Sequence, residues 1–242
     1  MKSVSALNLL LQAPAYLPRV GLGCPILDGF LRGGLRPGIT ELVGESAAGK
    51  SQMALQWLIQ AQMPPESGGA NGASVYLCTE DVPLKRLKQI AQGYSQRYEW
   101  AKDFDFLQNI FIESVPELEQ FQRAIFEILP RMLSEQEIRL VVIDSLGAVL
   151  RTEFEANEMS ERAALLFRIG AHLAKLSSQY ACPILVVNQV SDAFLPEYMN
   201  SSRQPFDSLI GNYTSKNAVR SSGRMCLPTL GVSWAHCINT RL

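Results

Sequence analysis

Short apolar runs recur along the chain and predict β-strands. Five runs stand out, at residues 39–43, 74–78, 110–113, 139–143 and 183–188. Several of them are apolar throughout instead of alternating with polar residues, which is typical of strands that are covered on both faces. The runs therefore indicate a parallel sheet buried inside the protein.

Helical periodicity fills the gaps between these runs. A helix is predicted over 51–62, directly after the first strand, and another over about 158–180, before the last strand. Ser114 and Glu117 stand three residues apart as in a capping box, and apolar residues follow at helical spacing over 118–132. Alternating strands and helices predict an α/β fold, with a mostly parallel central sheet flanked by helices and right-handed crossovers.

Two stretches depart from this alternation. Residues 1–20 are predicted to form an N-terminal arm or linker, and residues 21–242 a single core domain. Within the core, residues 190–228 are polar, rich in Ser and Asn, and without a clear period. A loop of this length inside a compact domain is either functional or disordered.

Composition narrows the class of protein. Hydrophobic residues make up 47% of the 242 residues and charged residues 19%, which excludes an intrinsically disordered chain. Lys and Arg total 22 against 23 Asp and Glu, so the overall charge gives no argument for nucleic-acid binding. No apolar stretch is long enough to span a bilayer. The five cysteines include no Cys-x-x-Cys pair, and for the three in or beside apolar runs we expect buried free thiols instead of a metal or redox site, in a reducing compartment.

The most specific motif follows the first predicted strand. It consists of Gly44, Glu45, Ser46, Ala47, Ala48, Gly49, Lys50 and Ser51, which fits G-x-x-x-x-G-K-[ST], the P-loop. The two glycines let backbone N–H groups converge on a phosphate, and the following helix adds the positive end of its dipole. Lys50 supplies a cation for the β- and γ-phosphates, and the Ser51 hydroxyl is placed to bind Mg²⁺. The motif predicts a nucleotide-binding site.

Three further polar residues close predicted strands, where ligands bind in open α/β sheets. Asp144 ends the fourth strand and is expected to hold Mg²⁺, although it also fits a cap of the next turn. Glu80 follows the second strand, in the right layer to orient or deprotonate a water molecule. Gln189 follows the fifth strand, where its amide either senses a γ-phosphate or is simply solvated.

A basic stretch lies near the C-terminus. From residue 208 to residue 242 the chain has no Asp or Glu, and Lys216, Arg220 and Arg224 recur every four residues. This spacing would let one helical face carry all three side chains into contact with nucleic-acid phosphates. A solvated charged face is the alternative.

The motifs, in their order and spacing, resemble those of the RecA-like recombinases, and within them the eukaryotic paralogues of the strand-exchange recombinase. Besides the P-loop, the resemblance rests on residues 22–28, 31–35, 38–42, 76–81, 142–145, 188–190 and 230–235. It extends over nearly all of the chain after about residue 20. The resemblance implies a RecA-like ATPase core that binds ATP with Mg²⁺ and acts in homologous recombination repair of DNA double-strand breaks.

The resemblance also implies roles for individual residues. Glu80 is similar to the water-activating carboxylate of the family, and Gln189 to the residue that links the γ-phosphate to the second DNA-binding loop. Arg86 is similar to an arginine that packs against the adenine. His236 matches a histidine that, in filament-forming relatives, faces the nucleotide of the neighbouring protomer.

The chain departs from the family pattern in places that bear on function. Its DNA-loop regions correspond to 151–161 and 190–228, but the first carries Glu155 and Glu158 where the family usually has a glycine-flanked arginine. On this resemblance we expect the chain to lack the family's N-terminal helical domain and to be truncated at the C-terminus, where relatives continue through further strands. We therefore expect the chain to rely on a partner.

The partner implied by the resemblance is another recombinase paralogue, namely paralogue C of the strand-exchange recombinase, in a heterodimer. Single-stranded or branched DNA is the expected ligand, with no membrane partner, and the expected location is the nucleus and also the cytoplasm. Two functions stay open. The intact Glu80 favours a weak DNA-dependent ATPase, whereas the acidic first loop and short C-terminus favour a nucleotide-gated scaffold with little or no hydrolysis.

Overall fold

The strands of the protein assemble into one mostly parallel sheet. The computed structural model describes residues 19–154, 158–192, 219–221 and 224–242. Within them the strands are β1 (Gly38–Gly44), β2 (Ala73–Cys78), β3 (Ile110–Ser114), β4 (Ile138–Asp144), β5 (Pro183–Asp192), β6 (Val219–Ser221), β7 (Arg224–Pro228) and β8 (Thr240–Arg241). The five predicted strands are all present, and β5 continues four residues beyond its predicted end.

The order of the parallel strands is β3-β2-β4-β5-β1-β8. Gly44 at the end of β1 pairs with Gln189, and Cys78 at the end of β2 pairs with Asp144. The far end of β5 pairs with β7, and β7 with β6, both antiparallel. This register brings the carboxyl ends of four neighbouring strands to one edge of the sheet, where α/β folds bind ligands.

Helices cover both faces of the sheet. They are α1 (Pro25–Phe30), α2 (Lys50–Gln60), α3 (Leu84–Arg97), α4 (Leu118–Arg123), α5 (Leu129–Glu135), α6 (Leu146–Glu153), α7 (Met159–Tyr180) and α8 (Gly231–Ala235). No helix within the described ranges combines the length and apolarity that a bilayer crossing needs. The helices predicted over 51–62 and 158–180 correspond to α2 and α7, whereas α3 and α6 had no counterpart in the sequence prediction.

Two apolar layers sandwich the sheet. Val142 and Leu185 face a layer that contains Trp57 of α2, whereas Val141 and Ile143 face the opposite layer with Trp234 of α8. Burial on both faces explains why β4 is apolar at successive positions instead of alternating. The expectation of free thiols is confirmed, since no cysteine forms a disulfide, and Cys78, Cys182 and Cys226 are buried.

The predicted capping box is wrong. Ser114 is the last residue of β3 and pairs with Cys78, so it is not a helix cap. The N-cap of α4 is Glu117, and no side chain caps this helix. The helix predicted over 118–132 is also divided, because a π-helical turn at Ala124–Ile128 separates α4 from α5. Pro130 in the first turn of α5 has no N–H to donate, which accounts for an irregular turn at this point.

The described parts of the region 190–228, which was expected to be irregular, form strands. Residues 190–192 continue β5, and β6 and β7 form an antiparallel pair within the region. In the expected first DNA loop, residues 151–153 complete α6, and α7 begins at Met159. Residues 155–157, including Glu155, lie outside the described ranges.

Candidate nucleotide-binding site

The P-loop joins the end of β1 to the start of α2. Ala47 and Gly49 have positive φ angles of 62° and 92°, and Gly49 is the N-cap of α2. Left-handed residues in a short loop turn successive N–H groups toward one side, which makes a concave anion site. The start of α2 adds unpaired N–H groups and the positive end of the helix dipole. The loop thus has the backbone conformation that phosphate binding requires.

Lys50 folds back over this loop. Its ammonium donates to the carbonyl oxygens of Gly44 at 2.9 Å and Glu45 at 2.7 Å. Burial lowers the pKa of Lys50, and the negative charge of Asp144 acts in the opposite direction. Two carbonyl oxygens of the loop therefore hold a partly desolvated cation beside the concave anion site.

A cleft of about 280 Å³ opens between the P-loop and the ends of β2, β4 and β5. Its lining consists of Ser46, Ala47, Gly49, Lys50, Ser51, Gln52, Glu80, Asp144, Ser145, Val187 and Gln189. Eight of these eleven residues were singled out from the sequence. The structure therefore brings the P-loop and all three strand-end candidates into one cavity.

Asp144 is held by its neighbour in the sheet. The Tyr76 hydroxyl donates to Asp144 Oδ2 at 3.1 Å, and Thr79 N–H donates to the Asp144 carbonyl at 3.0 Å. The N-cap of α6 is Ser145, and no side chain caps that helix, so the capping alternative for Asp144 has no support. One carboxylate oxygen is oriented by the phenol, and the carboxylate lines the cleft. Asp144 and Ser51 offer the hard oxygen donors that suit Mg²⁺.

Ser145 is a cleft residue that sequence reasoning missed. Its backbone is tied to Thr79, whose hydroxyl accepts from Ser145 N–H at 3.1 Å and donates to the Ser145 carbonyl at 3.2 Å. The Ser145 hydroxyl is buried and has no hydrogen-bond partner among the described residues. An unsatisfied buried hydroxyl that borders a cavity favours a polar ligand or water in that cavity.

Glu80 and Gln189 differ in how firmly they are held. Glu80 lies exposed at the rim of the cleft. Gln189 accepts a hydrogen bond from Arg151 Nη2 at 3.1 Å, and its carbonyl accepts from Thr229 N–H at 3.0 Å. Arg151 was not predicted as a functional residue, because its place in a helix does not indicate which strand its side chain contacts. Gln189 is thus fixed at both its side chain and its backbone.

Arg86 and His236 do not line the cleft. Arg86 is exposed on α3, and its guanidinium donates to Gln52, a cleft residue, and to Gln89. His236 is exposed directly after α8. Its expected contact with a neighbouring protomer stays a prediction, because the structure contains one chain.

The helical interpretation of the basic stretch is wrong where the structure describes it. Arg220 lies in β6 and Arg224 in β7, two antiparallel strands in which Arg220 pairs with Met225. Strand pairing overrides the four-residue spacing, so these two residues are not on one helical face. Lys216 lies outside the described residues.

The fold and the cleft agree with comparisons to known proteins. A family model described as Rad51 matches residues 16–218, which is most of the chain. The chain belongs to the Rad51 family.

Its relatives in this family include "DNA repair protein XRCC3" of Mus musculus, 39% identical over 249 residues. That alignment covers 99% of this chain and 67% of the relative. "DNA repair protein RAD51 homolog 2" of Homo sapiens is 31% identical, over 95% of this chain and 60% of the relative. "DNA repair and recombination protein RadA" of Metallosphaera sedula is 30% identical, over 74% of this chain and 55% of the relative. The similarity to XRCC3 spans the P-loop and every other cleft residue, since it covers nearly the whole chain.

Proposed function

We propose that this chain is an ATP-binding recombinase paralogue that acts in DNA repair by homologous recombination. The observation that carries the proposal is the single cleft shared by the P-loop, Glu80, Asp144 and Gln189, in a member of the Rad51 family. The names of the relatives, which describe DNA repair and recombination proteins, support the biological process. We expect the chain to work in the nucleus, with a further pool in the cytoplasm.

The geometry supports a different role for each group of residues in the cleft. The P-loop N–H groups and Lys50 would bind the β- and γ-phosphates, because they place positive charge on one wall. Ser51 and Asp144 would hold Mg²⁺, which would neutralise charge on the phosphate oxygens when bound. Glu80 would accept a proton from the attacking water, and Arg86 would reach the adenine from outside the cleft.

The connection to DNA runs through β5. Gln189 lines the cleft, and the next three residues of the same strand extend into the region that precedes β6 and β7. A strand that continues from the nucleotide to a DNA-binding loop would couple the two ligands through its backbone. We propose that Lys216, Arg220 and Arg224 contribute to single-stranded or branched DNA binding in this region.

A partner paralogue completes the proposal. The relatives include several paralogues of the Rad51 family, and this supports pairing of the chain with a second paralogue. Our candidate partner is paralogue C of the strand-exchange recombinase. His236, exposed after α8, would then face the nucleotide of the adjacent subunit.

A second candidate function is a nucleotide-gated scaffold with little or no hydrolysis. The observation that favours it is the exposure of Glu80, for which the described residues provide no orienting hydrogen bond. A general base has to be held within hydrogen-bond reach of its water. Binding without turnover is therefore compatible with the same cleft.

The test is Mg²⁺-dependent binding of a fluorescent ATP analogue to the purified chain. Lys50→Ala should abolish binding, whereas Lys88→Ala, which removes an exposed charge on α3, should leave it unchanged. Binding that is insensitive to Lys50→Ala would refute the proposed site. Phosphate release, measured with and without single-stranded DNA and with the partner paralogue, then separates the two candidates: Lys50-dependent binding without turnover in every condition would establish the scaffold.

A further inference from the structure

A buried carboxylate lies in the middle of the sheet, away from the nucleotide cleft. Glu41 is the fourth residue of β1, and its side chain is fully inaccessible to solvent. It does not line the cleft. Burying a carboxylate is strongly unfavourable unless charged or polar partners compensate for the lost hydration. The hydrogen-bond partners of Glu41 therefore indicate its role in the structure.

Glu41 is the centre of a line of four hydrogen-bonded side chains, which we call the polar relay. Arg241 Nε of β8 donates to Glu41 Oε2 at 2.6 Å, and Asn188 Nδ2 of β5 donates to Glu41 Oε1 at 2.7 Å. The Thr229 hydroxyl donates to Asn188 Oδ1 at 2.7 Å. The polar relay therefore crosses three strands, from the edge strand β8 through β1 to β5 and the turn after β7.

The Thr229 end of the polar relay holds the part of β5 that carries Gln189. Asn188 directly precedes Gln189, and Thr229 N–H donates to the Gln189 carbonyl at 3.0 Å. The Thr229 side chain is thus bonded to the Asn188 side chain, and the Thr229 backbone to the Gln189 backbone. The Thr229 carbonyl in turn accepts from Arg162 Nη2 of α7 at 3.1 Å, which fixes the turn itself.

The same end of the polar relay packs closely against α6. A Cβ atom at Gly147 would lie 3.2 Å from Thr229 Oγ1 and 3.3 Å from Asn188 Oδ1, which is tighter than ordinary contact. Gly147 is the third residue after Asp144, so the relay lies between the part of β5 that carries Gln189 and the segment that follows Asp144. Displacement of the relay would be transmitted to both segments, because close-packed groups cannot shift independently.

We propose that the polar relay positions Gln189 for recognition of the γ-phosphate, with Glu41 as its central positioning residue. The proposal rests on the proposed nucleotide-binding function. Glu41 would not touch the nucleotide; its carboxylate fixes Asn188, and Asn188 with Thr229 fixes the backbone from which the Gln189 side chain projects. Because only a triphosphate has a γ-phosphate, the relay should affect the preference for triphosphate over diphosphate and leave diphosphate binding nearly unchanged.

The first experiment removes one hydrogen bond of the relay with little change of shape. Thr229→Val deletes the hydroxyl, and Thr229→Ser is the matched control because it keeps the hydroxyl. Affinities for a fluorescent ADP and a fluorescent non-hydrolysable ATP analogue are measured for each variant of the 242-residue chain. We expect Thr229→Val to lower the triphosphate preference roughly tenfold, the smallest effect that loss of an outer hydrogen-bond partner has at metal sites, and Thr229→Ser to keep it.

The second experiment exchanges two members of the relay. Asn188→Asp places a second carboxylate against Glu41 and should reduce the triphosphate preference further. Adding Glu41→Gln restores a single carboxylate and a full set of donors and acceptors, so the double variant should regain most of the preference. A double variant no better than Asn188→Asp alone would overturn the proposal.

The nucleotide site and the role of the polar relay can be refuted separately. If the wild type binds neither nucleotide, the proposed function is refuted, and the relay proposal with it. If the wild type binds both, and Thr229→Val lowers both affinities equally or neither, the nucleotide site stands and the relay proposal is overturned.

Discussion

The Tyr76 hydroxyl donates a hydrogen bond to Asp144 Oδ2 at 3.1 Å, which joins β2 to the last residue of β4, a residue that lines the cleft. Burial raises the pKa of Tyr76, and the negative charge of Asp144 raises it further. The phenol therefore stays protonated and remains a donor at every pH at which the protein is handled. A permanent donor holds one oxygen of Asp144 and fixes the direction in which the carboxylate faces the cleft.

Tyr76→Phe tests this orienting role. The substitution keeps the ring and removes the hydroxyl, so we expect unfolding free energy to fall by only about 1 kcal/mol. The Mg²⁺ concentration needed for half-maximal binding of an ATP analogue should rise roughly tenfold, because the carboxylate loses its outer partner. The control is Tyr94→Phe, which removes a hydroxyl that donates to Gln60 Oε1 at 2.8 Å, away from the cleft. Equal Mg²⁺ requirements in the two variants would contradict the prediction.

The lowered pKa of Lys50 predicts how nucleotide affinity depends on pH. Because burial lowers the pKa from its ordinary 10.5, the empty site loses the ammonium charge at a lower pH than an exposed lysine would. Bound phosphate favours the charged form, so affinity should fall as pH rises through this lowered pKa. Titration of nucleotide affinity between neutral and alkaline pH checks this, and an affinity that stays constant until above 10.5 would contradict it.

Gly34 is predicted to be intolerant of any side chain. Its φ is 110°, and a Cβ there would lie 2.3 Å from the carbonyl oxygen of Val20. We expect Gly34→Ala to lower the unfolding free energy by about 3 kcal/mol, since it combines backbone strain with a backbone clash. Gly29→Ala is the matched control: Gly29 lies in α1 with nothing within 4 Å of its Cβ position, so this change should be neutral or stabilise by up to about 1 kcal/mol. Denaturant unfolding of both variants gives the comparison.

Cys182 should resist alkylation in the folded protein. Burial raises the pKa of its thiol to about 12, so the reactive thiolate is absent at ordinary pH. Cys24 is only half-buried and should be modified first by iodoacetamide at mildly alkaline pH, ahead of the half-buried Cys237, whose pKa burial raises. Mass spectrometry of the intact protein and of its peptides measures the order, with unfolded protein as the control in which all five sites react. Early labelling of Cys182 would show that the core opens on the timescale of the reaction.

The sequence allowed the nucleotide cleft to be predicted because its signals are local. The P-loop fixes a strand, a turn and a helix in eight residues, and Asp144 and Gln189 close apolar runs of strand length. Parallel strands put their carboxyl ends at one edge, so topology alone assembled these residues. The registers that pair Gly44 with Gln189 and Cys78 with Asp144 completed the cleft.

The residues that support the cleft were not predictable in this way. In the sequence, Tyr76 cannot be distinguished from any other aromatic residue in a strand. Its hydroxyl finds a hydrogen-bond partner only when β4 pairs beside β2. Glu41 fits an exposed strand position, and only β8 and β5 make it a buried ion-pair centre. The four-residue spacing of Arg220 and Arg224 led to a wrong prediction of a helix, because strand pairing determines their conformation.

The bond between Glu41 and Arg241 joins residues 200 positions apart in the chain. During synthesis on the ribosome, β1 emerges early, but its two neighbours in the sheet, β5 and β8, are made only after most of the chain has left the exit tunnel. Until then Glu41 stays hydrated, which disfavours premature burial of β1 against the wrong strand. The first structure to form is therefore expected among β2, β3 and β4, and the nucleotide cleft, which needs the end of β1, would be completed last.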